Sequence, residues 1–149
     1  MAADVITLIT ADHRRVEALL DRLKAERGER RDTVAELHVL LTAHARAEED
    51  RVYPGIDAHH GLEAHKEAEV LLDALRRAEA GSAGFVETLE LLAESIVPHM
   101  REEETTMLPL LARTAGDKRL KRIGAAFAER RQQLLRALAA AKPLEQAGQ

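Results

Sequence analysis

Apolar residues recur every three to four positions through most of the chain, the period of a helix with one buried face. Punctuation divides the pattern into five segments. The first runs over residues 4–27, with Asp4 as N-cap and Gly28 as stop. The second starts near Arg31 and Asp32 and ends at Tyr53-Pro54-Gly55, a strong break. A third covers residues 57–80, after which Gly81-Ser82-Ala83-Gly84 forms a turn. The fourth covers 85–114 and stops at Ala115-Gly116. Asp117 then caps a fifth helix over 117–141, whose apolar stripe includes Leu120, Ile123, Phe127, Leu134 and Leu138. The tail from Lys142 is expected to fray. Short connections make sequential helices antiparallel neighbours, so the pattern predicts an all-α fold. Helices one to four form an up-down-up-down four-helix bundle over residues 1–115. The fifth amphipathic helix, within 116–149, packs on or extends the same domain.

Composition agrees with closely packed helices. Apolar residues make up 46% of the 149-residue chain but aromatics only 2%, so Leu, Ala, Val and Ile must fill the interior. A sheet would want more aromatic and β-branched residues. The formal net charge is −4 with both signs interspersed, which argues against a nucleic-acid partner. There is no cysteine, so disulfides, thiolate metal sites and thiol catalysis are excluded. Neither a secretory signal nor a stretch of about 20 apolar residues is apparent, and a cytoplasmic protein without a membrane span is expected.

The chemistry lies in a repeat. His44 is followed four residues later by Glu48, then Glu49, and further on by Tyr53-Pro54. His99 is followed by Glu103, then Glu104, and further on by Leu108-Pro109. Each copy is preceded by a segment of the form H-x3-E-x-L-L-D-x-L, containing His13 in one case and His65 in the other. Residues four apart share one helix face, so His-x3-Glu projects an imidazole and a carboxylate into the same space. Each of the four histidines lies thirteen to fifteen residues from the turn of its hairpin, or roughly 20 Å along the axis at about 1.5 Å per residue. All four therefore fall at one level of the bundle. Two glutamates and four imidazoles buried there would be costly without a cation. Glu48 and Glu103 can bridge two ions, with His13 and His44 on one and His65 and His99 on the other.

Ferritin-like di-iron bundles use Glu-x-x-His, which this chain lacks. Histidine on every helix, with His-x3-Glu on the second and fourth, resembles the hemerythrin-like (HHE) domain, bacterial type, over roughly residues 4–111. The resemblance implies two non-haem iron ions, carboxylate- or oxo-bridged, held by His13, His44, Glu48, His65, His99 and Glu103. The chain departs from classical oxygen-carrying hemerythrin in two places. Glu69 stands where that family has a second helix-three histidine, and the helix-four carboxylate is a glutamate four residues after its histidine. Glu69 is therefore a further candidate ligand, and the more anionic shell favours the ferric state over reversible dioxygen carriage.

Tyr53 holds the repeat position of Leu108 and reads either as a ligand or hydrogen-bond donor or as an amphipathic core residue. His38, His59 and His60 fit no repeat and read as solvent-facing or supporting groups. Glu17 reads as a surface acid near Arg14 or Arg15. Glu49, Glu102 and Glu104 form an acidic face that can hydrogen-bond the ligating histidines. Pro98, inside helix four, suggests a kink or π-bulge over 94–98 that aims His99. The expected ligands are dioxygen, hydrogen peroxide or nitric oxide. Three functions follow from the resemblance: weak peroxide- or nitric-oxide-consuming activity, a sensing or storage module, or an iron donor for iron–sulfur repair. The chain is expected to be a monomer or homodimer.

Overall fold

The computed structural model describes residues 3–56 and 58–141, so the expected helix start at Asp57 and the tail from Lys142 lie outside the described residues. Helix α1 spans Val5–Lys24, and the Asp4 carboxylate caps it by accepting from the Thr7 N–H at 2.9 Å. It ends earlier than the glycine signal suggests. Glu26 already turns into the left-handed region (φ 57°), two residues before Gly28 (φ 72°). Helix α2 spans Arg30–Arg51 and gives way to a 3₁₀ turn, Tyr53–Gly55. Helix α3 spans His59–Arg77. Helix α4 spans Ala83–Glu102 and is capped by Ser82, which accepts from the Phe85 N–H at 3.1 Å.

Past α4 the chain does not continue as a plain α-helix. Residues Glu103–Met107 form a π-helical turn, in which the Leu108 N–H donates to the Glu103 carbonyl, and α5 (Leu108–Ala115) follows. This corrects the expectation of a distortion over 94–98. Pro98 and Glu94 are both on the exposed face of α4, so the hydrogen bond that proline removes is lost toward solvent and the helix runs through it. The widened turn lies one turn later, at the glutamate. It inserts one extra residue into the buried stripe, so Leu108 and Leu111 face inward five and eight residues after Glu103.

Helices α1 to α4 form the bundle, and α6 (Asp117–Ala141) lies across α1 and α2. Gly124 permits that approach. A Cβ there would sit 2.7 Å from the Ala3 carbonyl oxygen and 2.8 Å from the Val5 nitrogen. There is no strand among the described residues, and no helix is long and apolar enough to cross a membrane. The apolar interior falls into two clusters. One holds Val16, Leu20, Leu37, Leu41, Leu72, Phe85, Leu92 and Ile96. The other holds Val5, Ile9, Ala43, Ala47, Val52, Tyr53, Leu108 and Phe127. On α1, His13 falls between Ile9 and Val16; on α2, His44 falls between Leu41 and Ala47. The buried histidines and glutamates thus form a polar layer between two apolar ones.

Candidate metal centre

Six buried side chains from helices α1 to α4 and the π turn meet in that layer. His13, His44, Glu48 and Glu103 bring one donor atom each within 4.8 Å of one another. Glu48, His65, His99 and Glu103 form a second group of the same span. The two glutamates belong to both. Metal–ligand bonds of about 2.0–2.2 Å place opposite ligands about 4.4 Å apart, so each group has the dimensions of a coordination sphere.

The inward atoms converge without satisfying one another. His13 Nε2 lies 3.0 Å from Glu103 Oε1, and His44 Nε2 and His65 Nε2 lie 3.2 and 3.3 Å from Glu48 Oε1. Yet His13 Nε2, His44 Nε2, both Glu48 oxygens and Glu103 Oε1 make no hydrogen bond of acceptable geometry. Native chains rarely leave buried polar atoms in that condition. The outer ring nitrogens explain why. His13 Nδ1–H donates to Glu104 Oε2 (2.7 Å), His44 Nδ1–H to Asp12 Oδ2 (2.8 Å) and His65 Nδ1–H to Glu49 Oε2 (2.8 Å). A carboxylate accepts, so each outer nitrogen carries a proton, and each Nε2 faces inward, where a cation can take the place of its proton. The layer aims imidazole nitrogens and carboxylate oxygens at common points, which is what a pair of cations requires.

Protonation equilibria carry the same demand for positive charge. Burial works to lower the His44 pKa, but the Glu48 and Asp12 carboxylates overcome it and raise it to about 10. Burial also opposes protonation of His65, but the Glu48 carboxylate 3.3 Å away and the hydrogen bond to Glu49 overcome it and raise the pKa to about 9. Glu103 is held well below the usual carboxylate range, burial notwithstanding, by His13 and His99. Imidazole and carboxylate donors together suit iron, zinc or manganese.

Tyr53 enters the layer from the 3₁₀ turn. Its hydroxyl donates a short bond to Glu103 Oε2 and lies 3.2 and 3.3 Å from His65 Nε2 and His99 Nε2. The ring stacks on His65 with centroids 5.3 Å apart. Burial and the nearby Glu48 and Glu103 charges push its pKa well above the ordinary phenol value. Gly61 makes the room: a Cβ there would lie 2.7 Å from the hydroxyl and 2.9 Å from the ring.

Glu69 does not join the layer, which corrects its expectation as a ligand. The buried stripe of α3 follows Gly61, His65, Ala68, Leu72 and Leu75, and Glu69 falls off that stripe into solvent. His59 and His60 are exposed and His38 is half-buried, all outside the layer. Glu17 pairs with Arg14 at the surface. Two residues escaped the sequence reading. Asp12 is buried beneath His44, and Arg131 of α6 grips it through Nε–Oδ2 (2.8 Å) and Nη2–Oδ1 (2.7 Å).

A family model described as the hemerythrin HHE cation binding domain matches residues 4–111. The chain belongs to this hemerythrin-like family. The match covers α1 to α4 and every residue of the buried layer, and it ends before α6. Metal cation binding is thereby common ground between the family and the geometry. Among characterised proteins, a DNA nickase of Nostoc sp. (strain PCC 7120 / SAG 25.82 / UTEX 2576) is 26% identical over 109 residues. That alignment covers 67% of this chain and 31% of the nickase, so the chain spans about a third of that relative's length. No solved structure matches.

Proposed function

We propose that this hemerythrin-like chain is a non-haem di-iron protein that binds or reacts with dioxygen, peroxide or nitric oxide, and serves in oxidative or nitrosative stress. The observation that carries this reading is the pair of four-residue donor groups sharing Glu48 and Glu103. His13 and His44 would hold one ion, His65 and His99 the other, with both glutamates between them. When bound, two adjacent iron ions supply the capacity to exchange two electrons with a small oxidant.

The chain's own residues would do the rest. Glu48 and Glu103 set the spacing of the two positions and offset part of their charge. Asp12, Glu49 and Glu104 fix three imidazoles by their outer nitrogens. Tyr53 supplies a phenolic oxygen directed at the His65/His99 half, either as a ligand or as a hydrogen-bond donor to what binds there. Val52, Ile96, Leu108 and Phe127, all nearly inaccessible, exclude bulk water from the layer. We place the protein in the cytoplasm, as a monomer or homodimer.

A second reading, a binding or sensing module without turnover, is favoured by the nickase alignment, in which a stretch like this one occupies under a third of a longer protein. Anaerobic iron(II)-loaded protein mixed separately with peroxide, nitric oxide and air separates the two. Repeated consumption of an oxidant supports the reactive protein. One reversible spectral change per site supports the module. No spectral or redox response to any of the three contradicts both.

A further inference from the structure

Helix α6 lies beyond the residues that define the family match, yet it touches the centre at two points. Phe127, fully buried, meets the His44 ring edge-on with centroids 5.6 Å apart. Arg131 grips Asp12, whose Oδ2 also accepts from His44 Nδ1–H. We propose that Arg131 is a positioning residue of the metal centre: its two-point hold on Asp12 fixes the tautomer and orientation of His44, and so sets how tightly the His13/His44 half binds its ion. The inference rests on the di-metal reading above.

The three carboxylates behind the histidines are not equivalent. Glu49 and Glu104 keep 34% and 21% of their side-chain surface in solvent, whereas Asp12 keeps 8%. A carboxylate buried that far is stable as an acceptor only if its remaining lone pairs are met. The planar guanidinium meets them as a fork, one N–H to each oxygen. With Arg131 gone, Asp12 is free to rotate, and His44 loses the partner that directs its Nε2 inward.

The control lies one residue away. Arg130 also ties α6 to α2, through Nε to Asp50 Oδ2 at 2.7 Å, but at the surface and apart from the layer. Zinc(II) titration against a chromophoric chelator, with the long-range proton–nitrogen NMR signal of His44 Nδ1, reads the effect. In Arg131→Gln one of two binding events should weaken about 10- to 100-fold, with the His44 Nδ1 proton shifted upfield. Arg131→Lys should fall between, and Arg130→Gln should match the parent. Equal weakening in Arg130→Gln and Arg131→Gln would reduce the role to helix docking and overturn the proposal. So would parent-like affinity in Arg131→Gln. A parent chain that takes up no zinc removes the di-metal reading instead; the His44 Nδ1 proton, observable without metal, then still decides whether Arg131 orients His44.

Discussion

Truncating Phe127 and Phe85 separately gives a matched test of the layered architecture. Both rings are buried, at 0% and 3% exposure, but they belong to different apolar clusters, and only Phe127 contacts His44. A buried Phe→Ala change costs about 3–5 kcal/mol, from lost transfer energy and the cavity left behind. At roughly 2–4 °C per kcal/mol for a chain of this size, each variant should melt about 6–20 °C lower without metal. Subtracted from a typical stability of about 5–15 kcal/mol, that loss leaves about 0–12 kcal/mol, and affinities are compared at 15 °C once the melts show both variants folded there. Apparent metal affinity is then not lowered by unfolding, because it falls only in proportion to the folded fraction. Phe127→Ala removes one wall of the His44 ring and should weaken zinc binding about tenfold, the scale of a lost supporting contact. Phe85→Ala should bind as the parent does. Calorimetric melts of the metal-free chains and chelator-competition titrations at 15 °C supply both numbers. Equal losses of affinity, or none in Phe127→Ala, would refute the claim that the second cluster buttresses the centre.

Gly61→Ala should behave as a mutation of Tyr53. The new methyl would fall inside contact distance of the phenol, so the usual gain of about 1 kcal/mol from replacing a helical glycine should be lost to crowding. If Tyr53 belongs to the centre, Gly61→Ala and Tyr53→Phe should both alter the visible spectrum of the iron-loaded protein, and an unchanged spectrum in both removes it. His38 gives a pH prediction away from the centre. Burial, Arg76 and Arg46 push its pKa down to about 4 against a weaker opposing pull from Asp73. The fold therefore favours neutral His38. That stability is present above the unfolded value of about 6.5 and is lost as pH falls through about 4. His38→Gln should lose less stability than the parent between pH 7 and pH 5, by on the order of 1 kcal/mol after solvent screening. Urea midpoints at the two pH values check this, and parallel behaviour of parent and variant would contradict it.

The bundle and the meeting of its four histidines with Glu48 and Glu103 were legible because helical periodicity and hairpin length are local quantities. His-x3-Glu brings two groups close to one face of a helix, and the distance to each turn sets their height. What stayed hidden depends on packing between distant segments. Arg131 reaches Asp12 across 119 positions, and nothing in the spacing of α6 marks it out from Arg130. Glu69 was misread because standing where the resembled family has a second histidine does not by itself put a side chain on the buried stripe of this helix. The stripe of α3 turns through Ala68 and Leu72 and leaves Glu69 in solvent. The π turn at Glu103–Met107 had a faint signal: Leu108 follows Glu103 by five residues, one more than an α-helix uses to return to the same face. The first repeat has the same offset between Glu48 and Tyr53, but there α2 ends and the 3₁₀ turn brings Tyr53 inward.

Metal content tests the central claim most directly. Protein purified from iron-supplemented cells should contain about two iron ions per chain by elemental analysis, with a charge-transfer band in the visible spectrum. Glu48→Gln, which removes a carboxylate common to both groups, should lose both ions together. Less than half an equivalent of any metal in the parent, after anaerobic reconstitution with iron(II), would contradict the account. The buried histidines and glutamates would then be a self-paired polar layer of the scaffold.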